Sequence, residues 1–269
     1  MTGRTSTDIE RMVITAARLI QNDAVLMVGT QWPIVAALLA KALHAPDSVI
    51  CHEGGVVMGK LPERVPLFTV DPTLHSCSVL LGGSFDTLGA VLHAGRADMA
   101  LLAAASIDRF GNINTTCFGD YGSPRVRLGG SGGGCDLGSL AEKTIIIMEH
   151  ERRRFPEKVD FITTPGFLEG GGTREEAGLR PGTGPFAVVT TMGLFGFDEQ
   201  GEMILLRFNP GFSIEDIREN VQWDLRVADD VSALESPTEE ELEMLRKRID
   251  PQGMYLRGGR MLDGRDLET

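Results

Sequence analysis

No two cysteines stand at CxxC spacing in this 269-residue chain, and no histidines fall at metal-ligand spacing. The four cysteines, Cys51, Cys77, Cys117 and Cys135, are scattered, so neither a disulfide framework nor a zinc site is indicated. Reduced thiols in a cytoplasmic protein are the simplest expectation. No apolar run approaches the roughly 18 residues that a membrane span requires. The N-terminus, "MTGRTSTDIERMVITAARLI", opens polar and its apolar residues recur at helical spacing, which fits neither a signal peptide nor a span. The expectation is a soluble protein with no membrane partner. Positive charge is also scarce: Lys plus Arg is 26 against 38 Asp plus Glu, a net charge of −12. With no basic stripe or interleaved aromatics, nucleic acid is not an expected partner. Glycine is not scarce, but its clusters (Gly82-Gly83, "GGSGGG" at 129–134 and "GGG" at 170–172) miss two familiar patterns. None is a GxGxxG straight after the first strand, and none carries a P-loop lysine, so dinucleotide and nucleoside-triphosphate readings fail on spacing.

The chain is 42% hydrophobic and 24% charged, enough to bury a full core. An amphipathic helix over about 7–21 leads to an apolar strand, "AVLMVG" at 24–29. A helix follows from Pro33, "PIVAALLAKAL", and then a strand ending at Glu53. A helical stretch is expected at 84–93, and strands at "DMALLAAAS", "KTIIIMEH", "VDFITT" and "FAVVTT". "LFGFDEQGEMILLRF" reads as a hairpin, and capping boxes Ser213/Asp216 and Thr238/Glu241 mark two C-terminal helices. Apolar strands alternating with helices predict an α/β fold with an open, largely parallel sheet flanked by helices, ending in a hairpin and helices. The main α/β domain is expected over 1–234, with a C-terminal helical appendage over 235–269 whose acidic run is a solvated helix face.

Three stretches hold candidate chemistry. In "DSVICHEGGVV", a β-branched strand delivers Glu53 to its carboxyl end, where ligand sites form in open α/β sheets. Between apolar neighbours the carboxylate would be partly desolvated and a stronger nucleophile. Gly54 and Gly55 would then leave room for a bulky substrate, or, if Glu53 merely faces solvent, would only make a turn. In "LGGSGGGCDL", successive N–H groups can converge as an anion nest or oxyanion hole, although a flexible surface loop has the same composition. In "ASIDRFGNINTTCFGDYGSPRVR", Asp108 and Asn112 bracket a turn, while Asn114, Thr115 and Thr116 could orient a substrate or sit in an ordinary loop. His52 and His75 could act as bases, yet neither has a recognisable partner.

Together these stretches resemble the family I coenzyme A transferases, and among them the B subunit of glutaconate CoA-transferase. The resemblance runs in order through "VGTQWPIVAALLAKALHAPD", "EGG", "IDRFGNINTTCFGDY", "RVRLGGSGGG", "TIIIMEHERRRF", "VDFITTPGFLEGGG" and "RKRIDPQG". The family's glutamate, small residue and glycine are Glu53-Gly54-Gly55 here. The resemblance implies that the Glu53 carboxylate attacks an acyl-CoA thioester to form a mixed anhydride. CoA then returns to leave a glutamyl-CoA thioester, and an acceptor acid reverses the steps. It also implies an oxyanion role for Gly132 and Gly133. Gly54, Gly55, Gly130, Ser131 and Asn114 are the implied substrate or CoA contacts. No metal and no permanently bound cofactor is implied; CoA esters are substrates. The "GCDL" half of the loop departs from the glutaconate enzyme and resembles the GxxDL ending of oxoacid transferases, which leaves the acid pair open.

The resemblance further implies a partner, a homologue of the family's A (alpha) chain, in a heterodimer or an A2B2 heterotetramer with the active site at the joint. Arg152, Arg153 and Arg154 could meet CoA phosphates, pair with that partner, or form a solvated turn. An alternative activity is a CoA-ester hydrolase or decarboxylase of the same fold with Glu53 as general base. A third is a non-catalytic CoA-ester-binding subunit, expected only if Glu53 is buried away from any pocket.

Overall fold

The computed structural model describes residues 6–257. Ten strands form one sheet, introduced here in chain order: β1 (Val25–Val28), β2 (Val49–His52), β3 (Val56–Met58), β4 (Ser78–Leu81) and β5 (Met99–Leu102). Two short ribbons intervene, β6 (Ser106–Ile107) with β7 (Ile113–Asn114), and β8 (Cys117–Phe118) with β9 (Val126–Arg127). The large sheet resumes with β10 (Lys143–Met148), β11 (Gly184–Thr190), β12 (Gly193–Phe197), β13 (Met203–Phe208) and β14 (Arg226–Ala233). Its order is β14-β13-β12-β11-β10-β5-β1-β2-β3-β4. From β11 to β2 all neighbours are parallel, as the sequence leads one to expect.

The central strands are apolar throughout because both faces of the sheet are covered. Side chains alternate between faces along each strand. Leu26, Val28, Leu101, Ile145 and Ile147 join a layer built on helix α1 (Asp8–Arg18) and helix α2 (Trp32–Leu43). Met27, Ala100, Leu102, Ile146 and Met148 face the other layer, which contains Leu137 of helix α3 (Gly134–Leu140). Helix α1 starts at a reciprocal cap in which Thr7 Oγ1 accepts from Glu10 N and the Glu10 carboxylate accepts from Thr7 N.

Two expectations change. "VDFITT" is not a strand despite its β-branched residues: its one ladder contact is an isolated bridge from Thr164 to Ile113. Asp160 instead accepts from Gly119 N, and Thr163 Oγ1 accepts from Thr115 N, so its polar groups tie loops together. The stretch at 84–93 is helical but wound as a π-helix over Phe85–His93. The hairpin forms as read, β12 antiparallel to β13.

The chain after 235 docks on the first helices. Arg18 makes a two-pronged ion pair with Glu241, both contacts at 2.7 Å, and Arg246 pairs with Glu10 at 2.6 and 2.7 Å. Leu245, Ile249, Tyr255 and Leu256 enter the α1/α2 core layer, and Trp32 Nε1 donates to the Tyr255 carbonyl at 3.1 Å. Residues 258–269 of the expected appendage lie outside the described residues. Among the described residues no helix is long and apolar enough to cross a membrane.

Candidate active site

The sheet changes direction at β1: the chain passes from β1 to β2 on one side, then returns to lay β5 on the other. Loops leaving neighbouring strands on opposite sides open a crevice at their carboxyl ends. A cavity of about 780 Å³ lies there. It is lined by residues that follow each strand end: Gly29, Thr30 and Gln31 after β1, Glu53 after β2, Ala103 to Ala105 after β5, and Glu149 and Glu151 after β10. Gln31 has φ +66°, a strained conformation for a non-glycine residue, and it does so at the cavity wall.

Glu53 is half-buried. Its Oε2 accepts from Gly133 N at 2.5 Å and its Oε1 accepts from Thr69 Oγ1 at 3.1 Å. Thr87 Oγ1 donates to its backbone carbonyl at 3.3 Å. The Gly-rich segment is therefore no free surface loop. A Cβ on Gly133 would displace the Glu53 carboxylate, and Gly132 has φ +50° with its Cβ position 3.5 Å from both carboxylate oxygens. Gly130 and Ser131 line the cavity, and Thr115 Oγ1 anchors the loop by donating to the Gly130 carbonyl at 2.8 Å.

Gly54 and Gly55 are packed against by the chain's own loops. A Cβ on Gly54 would strike the Val70 side chain, and one on Gly55, where φ is +97°, would strike the Gly82 carbonyl. They make room for the chain's own loops at 69–70 and 82–83, and neither is among the residues lining the cavity. Asn114 is also corrected. It is fully buried, its amide nitrogen donates to the Cys117 carbonyl at 2.7 Å, and its oxygen accepts from Thr116 N and Cys117 N. Its side-chain oxygen and nitrogen both serve that turn, and its full burial keeps it from the cavity. Asp108 and Asn112 likewise hold a loop, with three N–H groups on Asp108 Oδ1.

His52 is buried between the Val28 carbonyl and Met58 Sδ, and burial pushes its pKa down to about 4, which makes it a neutral core residue. Burial pushes the Cys51 thiol up to about 11, leaving it inert. Of the arginine cluster, Arg153 and Arg154 line the cavity. Arg152 turns away and donates to the Glu219 and Val221 carbonyls.

Thr69, Gln31, Glu149 and Glu151 are site residues that carry no signal in the sequence. Thr69 lies in a loop organised by buried Asp71. That carboxylate accepts from Leu67 N, Thr73 N and Thr73 Oγ1, and pairs with Arg64. Against the burial that raises it, these donors hold the Asp71 pKa down at about 2.

A family model described as "Coenzyme A transferase" matches residues 9–220. The chain belongs to the coenzyme A transferase family. It is 39% identical over 238 residues to the B subunit of 3-oxoadipate CoA-transferase from Pseudomonas knackmussii, covering 88% of this chain and 91% of that one. It is 36% identical over 255 residues to the B subunit of glutaconate CoA-transferase from Acidaminococcus fermentans, covering 93% and 95%. The crystal structure of glutaconate CoA-transferase from that organism superposes with a TM-score of 0.87 at 35% identity, over 93% of this chain and 96% of the other. This CoA-transferase chain is thus a family I B subunit, and the names of its relatives imply a complementary A chain as its partner.

Proposed function

We propose that this B subunit moves CoA between an acyl-CoA and a dicarboxylic or oxo acid, of the glutaconate or 3-oxoadipate kind, through a glutamyl-CoA thioester on Glu53. The observation that carries the reading is the half-buried Glu53 carboxylate at the wall of a large cavity, with the Gly133 N–H on one of its oxygens. Attack by a Glu53 oxygen on the thioester carbonyl forms a C–O bond and moves negative charge to the thioester oxygen. The Gly133 N–H follows that charge, leaving the carboxylate as it loses its own. Collapse expels CoA thiolate and leaves a mixed anhydride. The thiolate then attacks the Glu53 carbonyl, releasing the first acid, and the second acid reverses the sequence. Thr69 holds the other carboxylate oxygen and so fixes which one attacks. The scheme draws on no bound metal or redox group, because the thioester's energy is retained in the anhydride.

The partner in this reading is a homologue of the family's A chain, in a heterodimer or A2B2 assembly. β4 is one of the sheet's two edge strands, and it carries exposed Val79, Leu80 and Leu81 beside exposed Phe68, Val70 and Phe85. This apolar face abuts the catalytic residue, since Val70 packs on Gly54 and Gly82 on Gly55. A partner seated there would close the cavity over Glu53. Four free cysteines, three of them buried, support a cytoplasmic setting.

Isotope exchange in the assembled A–B enzyme tests the reaction class. A ping-pong transferase exchanges labelled acetate into acetyl-CoA with no other acid present. Hydrolysis of acetyl-CoA with no label returned to it would put Glu53 in a general-base role instead.

A further inference from the structure

Among the described residues that line the cavity, only Arg153 and Arg154 are cationic. They differ in what they are doing. Arg153 is largely exposed, and its Nε donates to Glu151 Oε2 at 2.5 Å. Arg154 is 23% exposed, with its Nε buried. Its nearest carboxylates, Glu149 Oε2 and Glu151 Oε1, stand off at 3.5 Å. Glu151 is also engaged by Arg153, and the Arg154 guanidinium is held beside two acidic groups, through Nη2 to Glu149 and through Nε to Glu151. A planar guanidinium at a cavity wall suits a carboxylate bound through two parallel N–H groups.

Its position relative to Glu53 matters as much. Glu53 follows β2 and Glu149 follows β10, with β1 and β5 between them. Three strand spacings separate these ends, about 14 Å. The glutamate arm, an extended five- or six-carbon acyl chain and the arginine arm together span that gap.

Resting on the transferase reading above, we infer that Arg154 is the specificity residue for the far carboxylate of a dicarboxylic acyl group whose near carbonyl is attacked by Glu53. Glu149 and Glu151 preset the guanidinium, and the incoming carboxylate meets its outer nitrogens at the cavity wall. A monocarboxylic acid of equal length fills the same cavity but leaves those donors unmet.

The test uses the assembled A–B enzyme with acetyl-CoA as donor and glutarate or valerate as acceptor. The readout is the ratio of their kcat/KM values. In Arg154→Gln the glutarate-to-valerate ratio is expected to fall about a hundredfold, the effect of losing a charge-assisted pair of hydrogen bonds. Arg154→Lys, which keeps the charge without the fork, is expected to recover part of the ratio. A ratio unchanged in Arg154→Gln, or an equal fall for both acids, overturns the inference while leaving transfer itself intact. Absence of label exchange between acetate and acetyl-CoA in the wild-type A–B enzyme instead defeats the underlying transferase reading.

Discussion

The backbone N–H of Gly133 donates to Oε2 of Glu53 at 2.5 Å, across 80 residues of chain. This joins the two segments on which the chemistry depends, the end of β2 and the start of α3. A charged carboxylate waiting on a preset N–H needs no rearrangement to hand that donor to a developing oxyanion.

Gly133→Ala should therefore damage catalysis rather than folding. The new Cβ would meet Glu53 Oε2 and lie 3.3 Å from both Glu53 Cβ and Leu137 Cδ1, pushing the carboxylate off its donor. A displacement of this size is expected to lower kcat by about a hundredfold with KM little changed. Steady-state kinetics of the A–B enzyme, with circular dichroism to confirm the fold, check it.

Thr69→Val keeps the side-chain shape and removes the hydroxyl that donates to Glu53 Oε1. Losing one such hydrogen bond is expected to slow transfer about tenfold. Thr69→Ser, which restores the hydroxyl, should recover most of the rate. Equal activity of all three would show that Oε1 needs no such support.

How much of this is legible in the sequence follows from how local each cause is. Glu53 can be read because a β-branched run ending in Glu-Gly-Gly is a local pattern. Its glycines mislead because what they accommodate, Val70 and Gly82, comes from loops beyond β3. Asn114 misleads for a related reason: the same side chain suits a substrate contact or a turn, and only the structure shows its amide bonded to Cys117 and Thr116. Thr69 has no local signal at all, since its partner lies 16 residues away. "VDFITT" carries strand-forming residues, but tertiary hydrogen bonds to Thr115 and Gly119 take its polar groups. The parallel sheet is legible because burial of both faces leaves apolar runs such as Ile145 to Met148.

Asp71 ties the Thr69 loop to stability at low pH. Its folded pKa of about 2 lies below the ordinary 3.8, so its contribution is complete above pH 3.8 and disappears as the pH falls through about 2. The shift corresponds to about 2 kcal/mol. Asp71→Asn should lower the urea midpoint at pH 7 and, through the loosened loop, also reduce kcat. Unchanged stability at pH 7 would contradict this role.

The two buried histidines act at milder acidity. His52 and His150 are each pushed down to about 4 by burial, His150 lying stacked on Phe155 with ring centroids 4.1 Å apart. An unfolded chain takes up their protons near pH 6.5, whereas the folded chain resists until about 4. Stability is thus complete above pH 6.5 and declines as the pH falls toward 4, by about 3 kcal/mol for each histidine. Urea midpoints measured between pH 7 and 4 should show this fall, and His150→Phe, which removes one titrating group, should flatten it. A midpoint constant over that range would contradict the assignment.

The most direct test of the central claim is chemical trapping in the assembled A–B enzyme. Incubation with acetyl-CoA followed by borohydride should reduce a Glu53–CoA thioester to the alcohol, and hydroxylamine should convert it to a hydroxamate. Peptide mass spectrometry should find either change at Glu53, dependent on the acyl-CoA and absent from Glu53→Gln. An unmodified Glu53 in an enzyme that turns over acyl-CoA would contradict covalent catalysis by this residue.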